Sequence, residues 1–164
     1  MTAAKISLGL ARTPDDIAEV KALFLEYAAS LDFDLCFQGF DQEMATFPGS
    51  YAEPDGALVL ARVNGLVAGA VGLRPSGHDP ATGRLCEMKR LYVRNDFRGL
   101  GLGRSLAEAI ISAGSRCGYA AIRLDTVKTM KEAAALYRSL GFSAIESYND
   151  SPLDKTEFYQ LTLP

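Results

Sequence analysis

The stretch 94–110, RNDFRGLGLGRSLAEAI, carries glycine at alternate positions, Gly99, Gly101 and Gly103. Arg98 stands before them and an apolar helical pattern follows at once. Glycine lets a backbone come close to a ligand with no Cβ in the way. A helix start leaves backbone N–H groups unpaired and adds partial positive charge. A strand, a glycine turn and a helix in succession therefore suit an anion, although glycines also serve tight turns that hold nothing. Two other side chains could do chemistry. Glu87 sits between Cys86 and Met88 in an apolar run, where a carboxylate is unexpected. It is a candidate general base, or else an outward-facing partner of Lys89 or Arg123. Tyr137 falls on the inward stripe of a helical pattern and has a proton to give; the alternative is a core aromatic with a satisfied hydroxyl.

Three nucleotide-type owners compete for the glycine turn. The Walker loop needs G-x-x-x-x-G-K-[ST], but Gly103 is followed by Arg104 and Ser105. The dinucleotide fingerprint needs G-x-G-x-x-G with an acid about 20 residues on. The spacing here is G-x-G-x-G, and Asp125 makes the turn a near mimic. The turn lies late in the chain, after a hairpin, and too little follows it for two mononucleotide halves. The pattern R-G-L-G-L-G from Arg98 instead satisfies [RQ]-x-x-G-x-[GA].

The elements that must position these residues read clearly. A first strand covers 4–12. Thr13 can cap the next helix, with Pro14 at its first position and Asp15 and Asp16 at its positive end. Ile17, Val20, Phe24, Tyr27 and Leu31 make its apolar stripe. A short helix is expected over 40–46. Asn64-Gly65 between two β-rich runs gives a hairpin over 56–75. A polar loop at 76–84 leads to a fourth strand over 85–93. The glycine turn opens a helix over 103–117, with Leu106, Ala109, Ile110, Ala113 and Cys117 on one face. A fifth strand covers 119–127. A helix over 130–142 aligns Ala133, Leu136, Tyr137 and Leu140 and is closed by Gly141. A sixth strand covers 142–147 and a last one 156–163. The expectation is one α/β domain of α+β type over 1–164: a single mixed, mostly antiparallel sheet of about seven strands, flanked by about four helices.

The glycine turn, the strand CEMKRLYV before it, AAIRLDT after it, and the helix AAALYRSLGF together resemble the GNAT superfamily of N-acetyltransferases, over nearly the whole chain. LDFDLCFQGFDQE with RLDTV is similar to one bacterial branch of that family. The resemblance implies acetyl transfer from acetyl-CoA to a primary amine, with splayed fourth and fifth strands. It implies a pyrophosphate cradle from Arg98, Gly99, Leu100, Gly101, Leu102, Gly103, Arg104 and Ser105. The pantetheine arm would pair with the bulged backbone of Leu91, Tyr92 and Val93, a form of β-augmentation. Thr126, Met130, Ala133 and Tyr137 complete the cofactor contacts. Glu87 takes the role of base and Tyr137 that of acid. Many family members have Asn where this chain has Met130, so its polar contact is either missing here or supplied otherwise, as by Thr126 or Thr129. Cys86 suggests a covalent acetyl-cysteine route, ranked below direct transfer because no histidine is placed to activate it.

Composition bounds the rest. The chain has 164 residues, 48% hydrophobic and 23% charged, with a formal net charge of −3. These values suit one globular domain and give no reason to expect nucleic acid as a partner. Lys89, Arg90, Arg94, Arg98 and Arg104 form a local basic patch, better matched to a phosphorylated small molecule than to a duplex. Cys36, Cys86 and Cys117 with a single histidine, His78, lack metal-like spacing, so no metal is expected and the thiols are read as free. No apolar run reaches the length of a membrane span, and a cytoplasmic protein is expected. The acceptor, a small molecule or a peptide, would be read by Asp32, Phe33, Asp34, the region of Gln38, and the late loop SYNDSP with Asp150. The C-terminal strand admits a homodimer. A noncatalytic acyl-CoA sensor on the same fold is the alternative function, and a nucleotide-dependent oxidoreductase a third.

Overall fold

The computed structural model describes residues 3–31, 35, 39–128, 130–149 and 156–164. Its elements run β1 (Ile6–Leu10), α1 (Pro14–Ser30), α2 (Phe40–Ala45), β2 (Ala57–Val63), β3 (Leu66–Asp79), β4 (Gly83–Val93), α3 (Leu102–Arg116), β5 (Ala121–Val127), α4 (Lys131–Ser139), β6 (Ser143–Ile145) and β7 (Thr156–Thr162). The helix start at 13–14 is as expected: Thr13 Oγ1 accepts the Asp16 N–H at 3.1 Å and Pro14 takes the first helical position. The β2–β3 turn has both central residues at positive φ, Asn64 at 52° and Gly65 at 82°, which matches strand twist.

The seven strands form one sheet in the order β1-β2-β3-β4-β5-β7-β6. Every neighbouring pair is antiparallel except β4 with β5. The mixed, mostly antiparallel sheet with four helices is therefore what the chain forms. α3 and α4 pack on one face over Val71, Leu73, Leu106, Ile110, Ile122 and Leu124. α1 and α2 cover the other face over Val20, Leu23, Phe24, Tyr51, Leu58 and Leu60. Burying each large aliphatic side chain contributes roughly 1.5–3 kcal/mol.

One expectation changes. The segment 76–84 is mostly strand: β3 runs to Asp79 and β4 begins at Gly83. Its polar composition reflects an exposed hairpin end, closed by Asp79 Oδ1 accepting the Ala81 N–H at 2.7 Å. The inward face of α3 carries Leu106, Ile110 and Ala113 as expected, with Ala107 and Gly114 also buried and Ala109 and Cys117 half-buried against the same core. The C-terminal strand β7 lies between β5 and β6, and β6 pairs with it only at Phe158, Tyr159 and Gln160.

Candidate active site

β4 and β5 pair at only three positions, Leu85 with Ala121, Cys86 with Ile122 and Glu87 with Arg123. Beyond Glu87 the strands part. The cause lies on the β3 side: Ala70 faces Tyr92 but Gly72 faces Lys89, so β4 carries one extra residue around Arg90 and Leu91. Such a bulge bends and twists a strand. Arg90 takes φ 61° there, a conformation that costs a non-glycine residue about 1–2 kcal/mol. Its guanidinium is held from α2: Nη2 lies 3.1 Å and Nε 3.3 Å from the Glu43 carboxylate, and Cζ lies 5.3 Å from the Phe40 ring.

The parted strands open a cleft of about 250 Å³. Leu91, Thr126, Met130, Ala133 and Tyr137, expected among the cofactor contacts, all line it, and so do Lys89 and Asp125. Thr126 donates its hydroxyl to Met130 Sδ at 3.7 Å, so the two residues at the departure from the family pattern are coupled. Thr129 lies outside the described residues. The Tyr92 side chain is turned away by strand alternation: its ring packs 5.8 Å from Tyr27 and its hydroxyl reaches Glu26 at 3.4 Å. The Val93 side chain packs against the core. Its backbone faces the open side, since Arg94 N–H bonds Ala68 across β3 at 2.8 Å and neighbouring residues alternate.

Tyr137 is placed by the end of α4. Phe142 N–H bonds the Tyr137 carbonyl at 3.1 Å and Gly141 N–H bonds that of Arg138 at 3.0 Å, with Gly141 at φ 99°. This is the Schellman arrangement, and its apolar contact is Phe142 edge-on to the Tyr137 ring at 5.8 Å. The ring is 7% exposed. Its hydroxyl has no hydrogen-bond partner among the described residues, and burial pushes its pKa above the usual 10.

The glycine turn follows β4 directly. Gly99 has φ 84° and Gly101 φ 77°, and Gly101 caps α3 with no side-chain hydrogen bond. A Cβ at either would meet no protein atom within 4 Å. The space above these glycines is open, which fits a cradle for an anionic group. Leu102, buried, anchors the helix start, while Leu100 is exposed. The first-turn N–H groups of Leu102, Gly103 and Arg104 have no helical acceptor. Ser105 N–H is taken by the Gly101 carbonyl at 3.1 Å, leaving Ser105 only its hydroxyl. A Cβ on Gly103 would lie 3.9 Å from Leu136, which also lines the cleft, so turn and cleft adjoin.

The basic patch is mostly neutralised within the fold. Lys89 lies 3.5 Å from Asp125 and 4.0 Å from Glu87, Arg90 binds Glu43, Arg94 binds Glu26 at 2.8 Å, and Arg104 binds Glu108 at 3.1 Å. Arg104 also donates to Ser139 at 2.9 Å. Arg98 differs. Its Nε bonds the Val93 carbonyl at 3.1 Å, and among the described residues it has no carboxylate partner.

Glu87 is buried, and of its expected partners Lys89 is present at 4.0 Å, but its shortest contacts are to others. Oε1 accepts from Arg74 Nε at 3.0 Å and Oε2 from the Tyr148 hydroxyl at 2.7 Å. Lys89 is the longer contact, and Arg123 makes no ion pair with it. Arg74 also reaches Glu43 at 3.4 Å. A chain of alternating charge thus runs Arg90, Glu43, Arg74, Glu87, Lys89, Asp125. Burial pulls the Lys89 ammonium below its usual pKa against the pull of the two carboxylates. Asp32, Phe33, Asp34, Gln38 and Asp150, expected to read the acceptor, lie outside the described residues.

A model of the Acetyltransferase (GNAT) family matches residues 22–142. The chain belongs to the GNAT family. It is 36% identical to an uncharacterised N-acetyltransferase of Schizosaccharomyces pombe over 99% of this chain and 98% of that one. It is 29% identical to one of Dictyostelium discoideum over 84% and 90%. These relatives are eukaryotic, so the expected bacterial branch is not borne out. The GNAT fold is also that of yncA of Salmonella typhimurium, solved with acetyl-CoA: 18% identity, TM-score 0.69, 97% of this chain and 94% of that one. As a GNAT protein the chain is an acyltransferase. Among the described residues of this GNAT chain no helix is long and apolar enough to cross a membrane. The same residues hold no group of three or more His, Cys, Asp or Glu able to bind a metal.

Proposed function

We propose that the protein is an acetyl-CoA-dependent N-acetyltransferase that passes the acetyl group directly to the primary amine of a small-molecule or peptide acceptor. The observation that supports this most is the fork beyond Glu87 and Arg123, which opens beside a helix start with unpaired N–H groups. In this reading the N–H groups of Leu102, Gly103 and Arg104 take the pyrophosphate, assisted by the Arg98 guanidinium. The backbone of Leu91 and Val93 pairs with the pantetheine arm and holds the thioester carbonyl against a donor.

The amine nitrogen bonds to the acetyl carbon as the carbon–sulfur bond breaks. Tyr137, kept protonated by burial, gives its proton to the departing thiolate. The amine proton moves to Glu87 through Tyr148, whose hydroxyl hands its own proton to Oε2 and takes the amine's. Burial and the neighbouring Glu87 raise the Tyr148 pKa, so the hydroxyl remains a donor. An acetyl-cysteine intermediate is disfavoured. Cys86 is buried in the opposite face of the sheet, and burial pushes its thiol up to about 12. A cytoplasmic location, where thiols such as Cys86 and Cys117 stay reduced, belongs to the same reading.

The test is CoA release, followed with a thiol reagent, over a panel of amines. Release that depends on an amine supports transfer. Thermal stabilisation by acetyl-CoA with no amine turned over favours the noncatalytic sensor. A burst of CoA without acceptor overturns the direct route.

A further inference from the structure

β5 sends Ile122 and Leu124 into the core under α3 and α4. Side chains alternate along a strand, so Arg123 and Asp125 share the opposite face, with Cα atoms roughly 6–7 Å apart. They do not pair with each other. Asp125 lines the cleft that also holds Tyr137, and its carboxylate accepts from Lys89 at 3.5 Å and from Asn149 at 2.9 Å. An ionised carboxylate has room for about four donors, so capacity remains for another.

Among the described residues, Arg123 is the cation on this face with no carboxylate partner. Arg74 has Glu87 and Glu43, Lys89 has Asp125 and Glu87, and Arg90 has Glu43. Among the described residues no carboxylate lies within ion-pair distance of Arg123. Its Nε donates to Gln160 Oε1 at 3.0 Å and its Cζ stacks 5.0 Å from the Tyr148 ring. Those two contacts fix the plane of a half-buried guanidinium. Both Nη groups are left without a protein partner among the described residues. A pre-oriented pair of N–H donors of this kind suits a carboxylate, which it can bind through both oxygens. One uncompensated positive charge matches a carboxylate better than a phosphate.

The location ties this site to the reaction. Arg123 and Glu87 are partners in the last rung before the fork, and the Tyr148 ring under Arg123 carries the hydroxyl bound to Glu87. We propose that the acceptor is an amino acid, its carboxylate held by Arg123 and its amino group received by Asp125 beside the Tyr148 hydroxyl. The proposal deepens the transfer reading above and rests on it for the role of the amine.

The experiment compares free amino acids with their amides and with the matched amines that lack the carboxylate, using CoA release. Free amino acids are expected to be the better acceptors. Arg123→Met is expected to raise their KM by roughly 10- to 100-fold, the loss of a charge-assisted pair. In that variant the KM for acetyl-CoA stays close to wild type. Arg123→Lys restores part of the affinity. Equal use of amino acids and decarboxylated amines overturns the proposal, as does an Arg123→Met effect of the same size on both. If no amine is acetylated, calorimetric titration with the amino acids decides independently. Binding to wild type that is lost in Arg123→Met keeps the site while the transfer reading falls. Absence of binding to either overturns the site as well.

Discussion

The Tyr148 hydroxyl donates to Glu87 Oε2 at 2.7 Å, joining a late loop to the middle of β4 across 61 positions of sequence. If this contact carries the amine proton, Tyr148→Phe lowers kcat by about 10- to 100-fold, and Glu87→Gln lowers it by about 10²- to 10⁴-fold. Because the two act in series, the double variant is expected to be no slower than Glu87→Gln alone. Steady-state rates at saturating acetyl-CoA measure this. Additive losses would separate the two roles.

Tyr137→Phe removes a hydroxyl that makes no hydrogen bond within the described fold, while the ring keeps its contact with Phe142. The expected result is a split: kcat falls about 10- to 100-fold, but urea stability changes by less than about 0.5 kcal/mol. A large stability loss would mean that the hydroxyl is a structural bond.

Gly101→Ala places a Cβ where no protein atom stands within 4 Å, at φ 77°. The backbone strain costs about 1–2 kcal/mol of stability. The KM for acetyl-CoA is expected to rise by more than tenfold, since the methyl enters the space assigned to the pyrophosphate. An unchanged KM would remove the turn from the donor site.

Alkaline unfolding should begin near the ordinary tyrosine pKa. Burial raises Tyr27, Tyr51, Tyr137 and Tyr148 above 10 in the folded state. A raised folded pKa gives stability that is whole below the unfolded value and is lost as pH climbs through the folded one. Lys89 has the opposite sign: its lowered pKa makes its contribution grow as pH rises toward 10.5. Four tyrosines outweigh one lysine, so the urea midpoint is expected to fall between about pH 9 and about pH 11. A flat profile across that window would contradict these burials.

Much of this was legible where the signal was local. Thr13 with Pro14, Asn64 with Gly65, and Gly141 after Tyr137 each act within a few residues, and each marks the element it should. Glu87 stood out because a carboxylate in an apolar strand is anomalous. Its partners did not. Glu43 sits on a six-residue helix, Arg74 within β3 and Tyr148 in a loop, and they meet only when the sheet closes. Nothing in their local spacing distinguishes them from surface residues. The basic patch misled for the same reason: charge counted along the chain does not reveal the carboxylates that fold onto it. The hairpin end at 76–84 was hidden because exposed strand and loop share a polar composition.

Three residue pairs join β1–β4 to the half of the sheet built from β5, β6 and β7. Past that short seam the edges of the two halves face each other unpaired. A ligand lying between them and bonding to the β4 backbone would act as a replaceable strand, so loading the donor would complete the architecture before chemistry begins. In kinetic terms the proposed donor site predicts an order of binding: donor first, acceptor second.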